Sequence, residues 1–224
     1  MDAMMERRKI GFVTGLKAEA ALLRDAGFLV AAGGGEPAGA FAAAEALAGQ
    51  GAEALVSFGL AGGLARALRP GTVLVPTLVL EGPREYPCDP ALMRFLGGPS
   101  GQRLLAGHRI AAAVADKAAL FRRSRADAID LESGAVARVA SARGLRFAVL
   151  RAIADPAERA LPPAALVPLR ADGGIALGHV LRSVALQPAQ IPALLRLARD
   201  AGSARKALVA RLRALAATAA LDPA

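Results

Sequence analysis

Hydrophobic and polar positions alternate along this chain with two different periods. Short apolar runs occupy residues 9–14, 28–32, 54–58, 72–76, 109–115, 126–131 and 147–154, each about the length of a buried strand. Residues 17–26, 38–50 and 133–143 instead space their apolar side chains as a helix does, and Gly27 stops the first of these. Strands alternating with helices predict an α/β fold on a mixed, mostly parallel sheet flanked by helices. The second strand runs into Gly33-Gly34-Gly35, and the third into a loop spelled GLAGG. Beyond residue 155 the pattern changes. Pro162, Pro163 and Pro168 rule out one regular helix, and residues 176–186 and 192–215 then read as helices. In the second of these, Leu194, Leu195, Ala198, Ala201, Leu208 and Leu212 recur at roughly helical spacing. No repeat, low-complexity tract or long linker interrupts the chain. The expectation is one domain over 1–224, its core at about 9–186, with a C-terminal helical extension at about 192–215.

Residues 128–158 concentrate the candidate chemistry. A strand, a helix and a strand of this length predict two parallel strands joined by a right-handed crossover. Glu132 and Asp155 then emerge together at the carboxyl edge of the sheet, where open α/β sheets bind ligands. Burying a carboxylate without a partner costs several kcal/mol, roughly, so packing alone seldom explains such a pair. Asp155 reads either as the partner of Arg151 in a strand-end ion pair or as a general acid whose pKa burial raises. Glu132 reads either as an acid favoured by the first turn of a helix or as an acceptor for two neighbouring hydroxyls, as on a sugar. Gly59, Leu60, Ala61 and Gly62 follow a strand directly, so their backbone suits either a tight turn or close approach to a ligand. The pattern is neither a dinucleotide fingerprint nor a P-loop. Glu19 is a helix-surface acid or a base that activates water. His108 and His179 lack metal-ligand spacing, and no metal site is expected.

Composition narrows the class. A chain of 224 residues can cover a sheet on both faces, and its single cysteine, Cys88, excludes an internal disulfide. The net charge is +9, yet there is no Trp and only one Tyr to stack on bases, which argues against nucleic-acid binding. The start reads as a first strand rather than a signal peptide, and no uncharged run approaches a membrane span, so a cytoplasmic location is expected. From 182 to 213 seven basic residues face one acid, Asp200. A helix of that kind packs on its own sheet with a solvated basic face, or lies on an anionic membrane surface.

These segments resemble the nucleoside phosphorylase and nucleosidase superfamily from residue 9 to about 158. KIGFVTGLKAEAALL is similar to the first strand and helix of the methylthioadenosine/adenosylhomocysteine nucleosidase branch. VSFGLAGGLARALRPGTVLVP resembles its glycine loop and next strand, AIDLESGAVARVA its ribose-binding motif, and FAVLRAIADPA its terminal strand. The tail from 154 onwards resembles the hopanoid-associated phosphorylase subgroup, which implies adenosylhopane as substrate and adenine as product. The resemblance implies that Asp155 protonates adenine N7, that Glu132 with Leu131 holds the ribose, and that Glu19 orients a water. Arg151 and residues 59–62 would shape the site, with Phe121 a candidate for stacking on the purine. It departs where branches place a hydroxyl in the glycine loop, here Leu60, and where phosphorylases carry an arginine, here Ser57. Lys17 and Ser57 remain candidates for phosphate. No metal or organic cofactor is implied, with inorganic phosphate as the one conceivable co-substrate. The implied partners are an adenine nucleoside with an apolar 5′ substituent and further copies of the chain, with location at the inner face of the membrane as an extension. The alternatives are a general methylthioadenosine/adenosylhomocysteine nucleosidase, or a non-catalytic nucleoside-binding or scaffold protein.

Overall fold

The computed structural model describes residues 7–15, 17–25, 27–166 and 177–218. Strand β1 (Ile10–Thr14) is buried at every position and lies parallel to β2 (Leu29–Ala32) on one side and β3 (Ala54–Gly63) on the other. Strand β9 (Arg146–Asp155) runs parallel to β3 along its whole length. A strand buried residue after residue needs cover on both faces. For β9 this comes from α5 (Ser133–Arg143) and α7 (Ile191–Thr218), while α2 (Pro37–Gly49) lies against β1 and α5. The remaining strands β8 (Ala128–Asp130), β7 (Arg103–Ala106), β5 (Leu78–Glu81) and β6 (Arg84–Pro87) continue outward from the far end of β3, and β4 (Val73–Leu74) caps β9. The mixed, mostly parallel sheet agrees with the sequence pattern.

Three expectations change. The GLAGG segment is not a loop: β3 continues through it to Gly63, with the positive φ of Gly59 (144°) absorbing the bend that a side chain would resist. The run at 109–115 is not a strand. The strand is β7, and residues 109–113 form an irregular connection into α4 (Val114–Ser124). Residues 72–76 give only the two-residue β4, because Pro76 carries no N–H to continue a ladder, and the chain restarts at β5.

The crossover also differs. β8 and β9 do not pair, and they are not parallel: β8 runs antiparallel to the end of β3, through Gly62 opposite Ile129 and Gly63 opposite Ala128, while β9 runs parallel to it. The two strands therefore flank β3 in opposite senses. The C-terminal helix packs on its own sheet, as one of its two readings has it, with Ala204, Leu208, Leu212 and Leu215 buried in the main core beside β9. Burying leucines of this kind stabilises the fold by about 1.5–3 kcal/mol each. Helices α1 (Lys17–Asp25) and α6 (Leu177–Leu186) complete the set near β2 and the C-terminal helix, with the short α3 (Pro90–Phe95) set against β9.

Candidate active site

The ends of β3, β8 and β9 meet around a cleft of about 190 Å³. Leu60, Ala61 and Gly62 form one wall, Leu131 and Glu132 a second, and Asp155 a third. Residues 109–111, just before α4, close the remaining side together with Leu161. Six of the residues singled out from sequence thus share one cavity.

Glu132 sits at the mouth of α5 on a network that is almost wholly buried. The Arg151 guanidinium, 1% exposed, donates through Nη2 to Glu132 Oε2 at 3.0 Å and to Ser57 Oγ at 2.7 Å, and through Nη1 to the Leu60 carbonyl at 3.3 Å. The same Nη2 lies 2.6 Å from Asp130 Oδ2. Ser133 closes the ring: its hydroxyl donates to Asp130 and stands 3.0 Å from that of Ser57. A buried carboxylate is tolerable only when compensated in this way. Burial pushes Glu132 above the ordinary carboxylate range, against the pull of Arg151 and with a push from Asp130. Gly15, at the end of β1, makes room for the second oxygen: a Cβ there would stand 2.7 Å from Glu132 Oε1.

Asp155 is held differently. Its Oδ2 accepts a hydrogen bond from Lys117 Nζ, a fully buried ammonium on α4 that also donates to the carbonyls of Pro156 and Arg159, each at 2.9 Å. The other oxygen, Oδ1, lies against Gly62, where a Cβ would approach to 3.1 Å. One oxygen is therefore tied to a cation, and the other faces the cavity wall. Burial drives Asp155 up from the usual carboxylate range, Lys117 and then Arg159 oppose it, and Asp200 adds to the rise. Asp200 itself pairs with Arg159 at 2.5 Å.

Of the two readings of Asp155, the strand-end pair with Arg151 does not form. Between Ala61 and Gly62 the ladder slips by one residue: Ala61 faces Ile153, but Gly62 faces Asp155, leaving Ala154 unpaired. Such a bulge re-aims the side chain that follows it. Asp155 turns to Lys117 and the cleft, while Arg151 stays with Glu132 and Asp130.

The other candidates are placed as follows. Ser57 and Arg151 are buried behind Glu132 and support it from beneath, and Gly59 lies on β3 one residue before the cavity wall. Phe121 packs beside Leu64, Ala126 and Ile129 in a separate apolar cluster and does not line the cleft; Ile110 does, at 44% exposed. Lys17 and Glu19 belong to α1, but their side chains lie outside the described residues. Among the described residues no cluster of His, Cys, Asp and Glu could hold a metal ion. Cys88 is buried, and its thiol is pushed up to about 12, so it is no nucleophile.

Sequence reasoning missed Lys117, Asp130, Ser133, Gly15 and the 109–111 wall. Asp130 and Ser133 flank the Leu131-Glu132 pair that was read, so their signal was present as motif neighbours. Lys117 stood beside Asp116 in a stretch to which the periodicity assigned no element.

Comparison with known proteins fits this geometry. Residues 95–169, which include β7, α4, β8, α5 and β9, match the family described as Phosphorylase superfamily. No curated protein matches the sequence. Among solved structures, the chain is similar to S-adenosylhomocysteine nucleosidase from Streptococcus pyogenes in complex with 5-methylthiotubericidin, with a TM-score of 0.64 and 15% identity over 94% of this chain and 98% of that one. It is also similar to futalosine hydrolase of Helicobacter pylori, at a TM-score of 0.64 and 14% identity over 92% and 98% of the two chains. The nucleosidase of Campylobacter jejuni aligns with a TM-score of 0.63 and 17% identity over 80% and 94%. At these identities the likeness establishes a shared fold.

Proposed function

We propose that this chain, with its phosphorylase superfamily domain, is an enzyme that cleaves the N-glycosidic bond of an adenine nucleoside substituted at the 5′ position. The observation that carries this reading is the division of labour between two carboxylates on one cleft, Glu132 buried and Asp155 partly buried. Asp155 has one oxygen tied to Lys117 and the other against Gly62, with burial favouring its protonated form. That is the arrangement of a general acid, here aimed at purine N7. Protonating the base turns it into a good leaving group, and the sugar passes through an oxocarbenium-like state. Glu132, fixed by Arg151, holds the two ribose hydroxyls and keeps C1′ oriented for attack.

Water is the acceptor this reading favours, with Glu19 as its orienting acid. The cleft is lined by three carboxylates, Asp130, Glu132 and Asp155, against one cation, the exposed Arg109, and the Arg151 guanidinium is engaged with Glu132, Asp130 and Ser57, an unfavourable setting for a phosphate anion. The neighbours named above are hydrolases and nucleosidases, in line with this choice. The resemblance of the tail points to adenosylhopane as the substrate, with methylthioadenosine or adenosylhomocysteine as the alternative.

Adenine release should be measured from adenosylhopane and from 5′-methylthioadenosine, each with and without inorganic phosphate. The expected result is faster release from the lipid nucleoside at a rate indifferent to phosphate. A strict phosphate requirement would replace water by phosphorolysis, and no release from either would return the protein to a binding role. Glu132→Gln keeps shape but loses one charged acceptor for a sugar hydroxyl, and a hydrogen bond to a charged group contributes about 1.5–3 kcal/mol. A fall in kcat/KM of roughly 10–100-fold is expected from steady-state rates, with little change in Tm.

A further inference from the structure

Among the described residues, the region from α6 into α7 presents an exposed apolar surface. On α6, Leu181 is 67% exposed and Leu186 72%, and between them Ala185 is exposed with Arg182 as the polar neighbour. The first turns of α7 repeat the arrangement. Ile191, Leu195 and Ala198, spaced to share one face, are exposed, flanked by exposed Arg196 and Arg199. A helix on a soluble surface normally turns its apolar stripe inward and its polar face outward. The later part of α7 obeys that rule, burying Ala204, Leu208, Leu212 and Leu215. The first part reverses it. Half of the eight large hydrophobic residues exposed among the described ones fall within residues 181–195.

Charge selects what this surface fits. Residues 177–218 carry seven basic residues and one acid, and that acid, Asp200, is tied to Arg159. A symmetric dimer through this patch would bring the arginine set Arg182, Arg196 and Arg199 of one copy up against the same set of the other. An anionic lipid surface has no such conflict, and it offers acyl chains to the leucines beneath its headgroups. The patch also adjoins the cleft. A second cavity of about 150 Å³ lies between Leu161 and Pro162 on one side and Ala193, Arg196 and Leu197 of α7 on the other, and it shares Asp155 and Leu161 with the first.

We infer that the α6–α7 corner is a docking surface for an anionic lipid bilayer, with Leu181, Leu186, Ile191 and Leu195 entering the headgroup region and Arg182, Arg196 and Arg199 meeting the lipid phosphates. Among the described residues no helix is long and apolar enough to cross a membrane, so this attachment lies on the surface. Each arginine near such a surface strengthens binding about fivefold at low ionic strength, and the leucines make it resist salt. Docking does not depend on which bond the cleft breaks.

Sedimentation of the full chain with phosphatidylcholine vesicles, with and without phosphatidylglycerol, tests the inference. The expected result is binding to the anionic vesicles alone and a partial loss in high salt. The double variant Leu186→Asp, Leu195→Asp should reduce the bound fraction by at least about tenfold. Both positions are exposed, so the variant keeps its Tm and its rate of adenine release from a water-soluble nucleoside. No binding to anionic vesicles at low salt overturns the inference. So does binding that the double variant leaves unchanged, which would mean diffuse attraction to a protein of net charge +9. A wild-type dimer that the double variant splits would assign the surface to a second copy instead. A chain that binds vesicles but releases no adenine would refute the proposed reaction and leave the docking surface standing.

Discussion

Asp155→Asn is expected to lower kcat for adenine release by about 10²–10⁴-fold, the usual contribution of a well-placed general acid. The amide keeps the size of the carboxyl and still offers Lys117 an acceptor, but it removes the charge opposite a buried ammonium, so Tm should fall, by less than in Lys117→Met because the acceptor remains. KM should also hold, because the sugar contact through Glu132 is untouched. The pH dependence carries the sharper test. A rate that needs Asp155 protonated falls as pH rises through its pKa, and burial has moved that pKa above the ordinary range. The wild-type profile should therefore show an alkaline limb above the usual carboxylate titration, and the variant should lose it. Near-normal turnover in Asp155→Asn would remove this residue from the proposed chemistry.

Lys117→Met is the second large effect, and it strikes both stability and rate. The ammonium satisfies Asp155 Oδ2 and two backbone carbonyls in a place water does not reach. Removing one member of a buried ion pair costs about 3–5 kcal/mol. For a chain of this size that lowers Tm by roughly 10 °C, which thermal unfolding would register. Rate falls for a separate reason. When Asp155 gives up its proton it becomes a carboxylate, and Lys117 is the charge that stabilises it. Without that charge the acid holds its proton to higher pH yet yields it less readily. The alkaline limb should move to higher pH while kcat drops. A variant that merely melts earlier, with kcat and pH profile intact, would make Lys117 a structural residue only.

Much of this site was legible in the sequence, and what was hidden has physical causes. Glu132 and Asp155 could be found because acids at the ends of apolar strands stand out against their surroundings. Their route to a common cleft could not. It depends on the antiparallel pairing of β8 with the end of β3 and on the bulge at Ala154, and neither leaves a mark in hydrophobic periodicity. The strand expected at 109–115 failed for a related reason, since RIAAAVA is apolar enough for a strand but lines a cleft before starting a helix. Lys117 did leave a trace. Only four of the 28 basic residues are lysines, in a chain that otherwise uses arginine. A compact ammonium with three donors fits a closed pocket that a planar guanidinium would not, so a lone lysine among arginines is worth asking about.

The opposed strands on either side of β3 also make the sheet a measuring device. Asp155 ends one neighbour of β3 and Glu132 follows the other by two residues, and the two neighbouring strands are separated across the ladder by two interstrand spacings, roughly 10 Å of backbone. That distance is set by main-chain hydrogen bonds, which side-chain substitutions leave in place. On the proposed reaction, the walls that remain for the 5′ substituent are those at 109–111 and 161, and a change of substituent would fall to them. The gauge between base and sugar stays constant while the cargo changes.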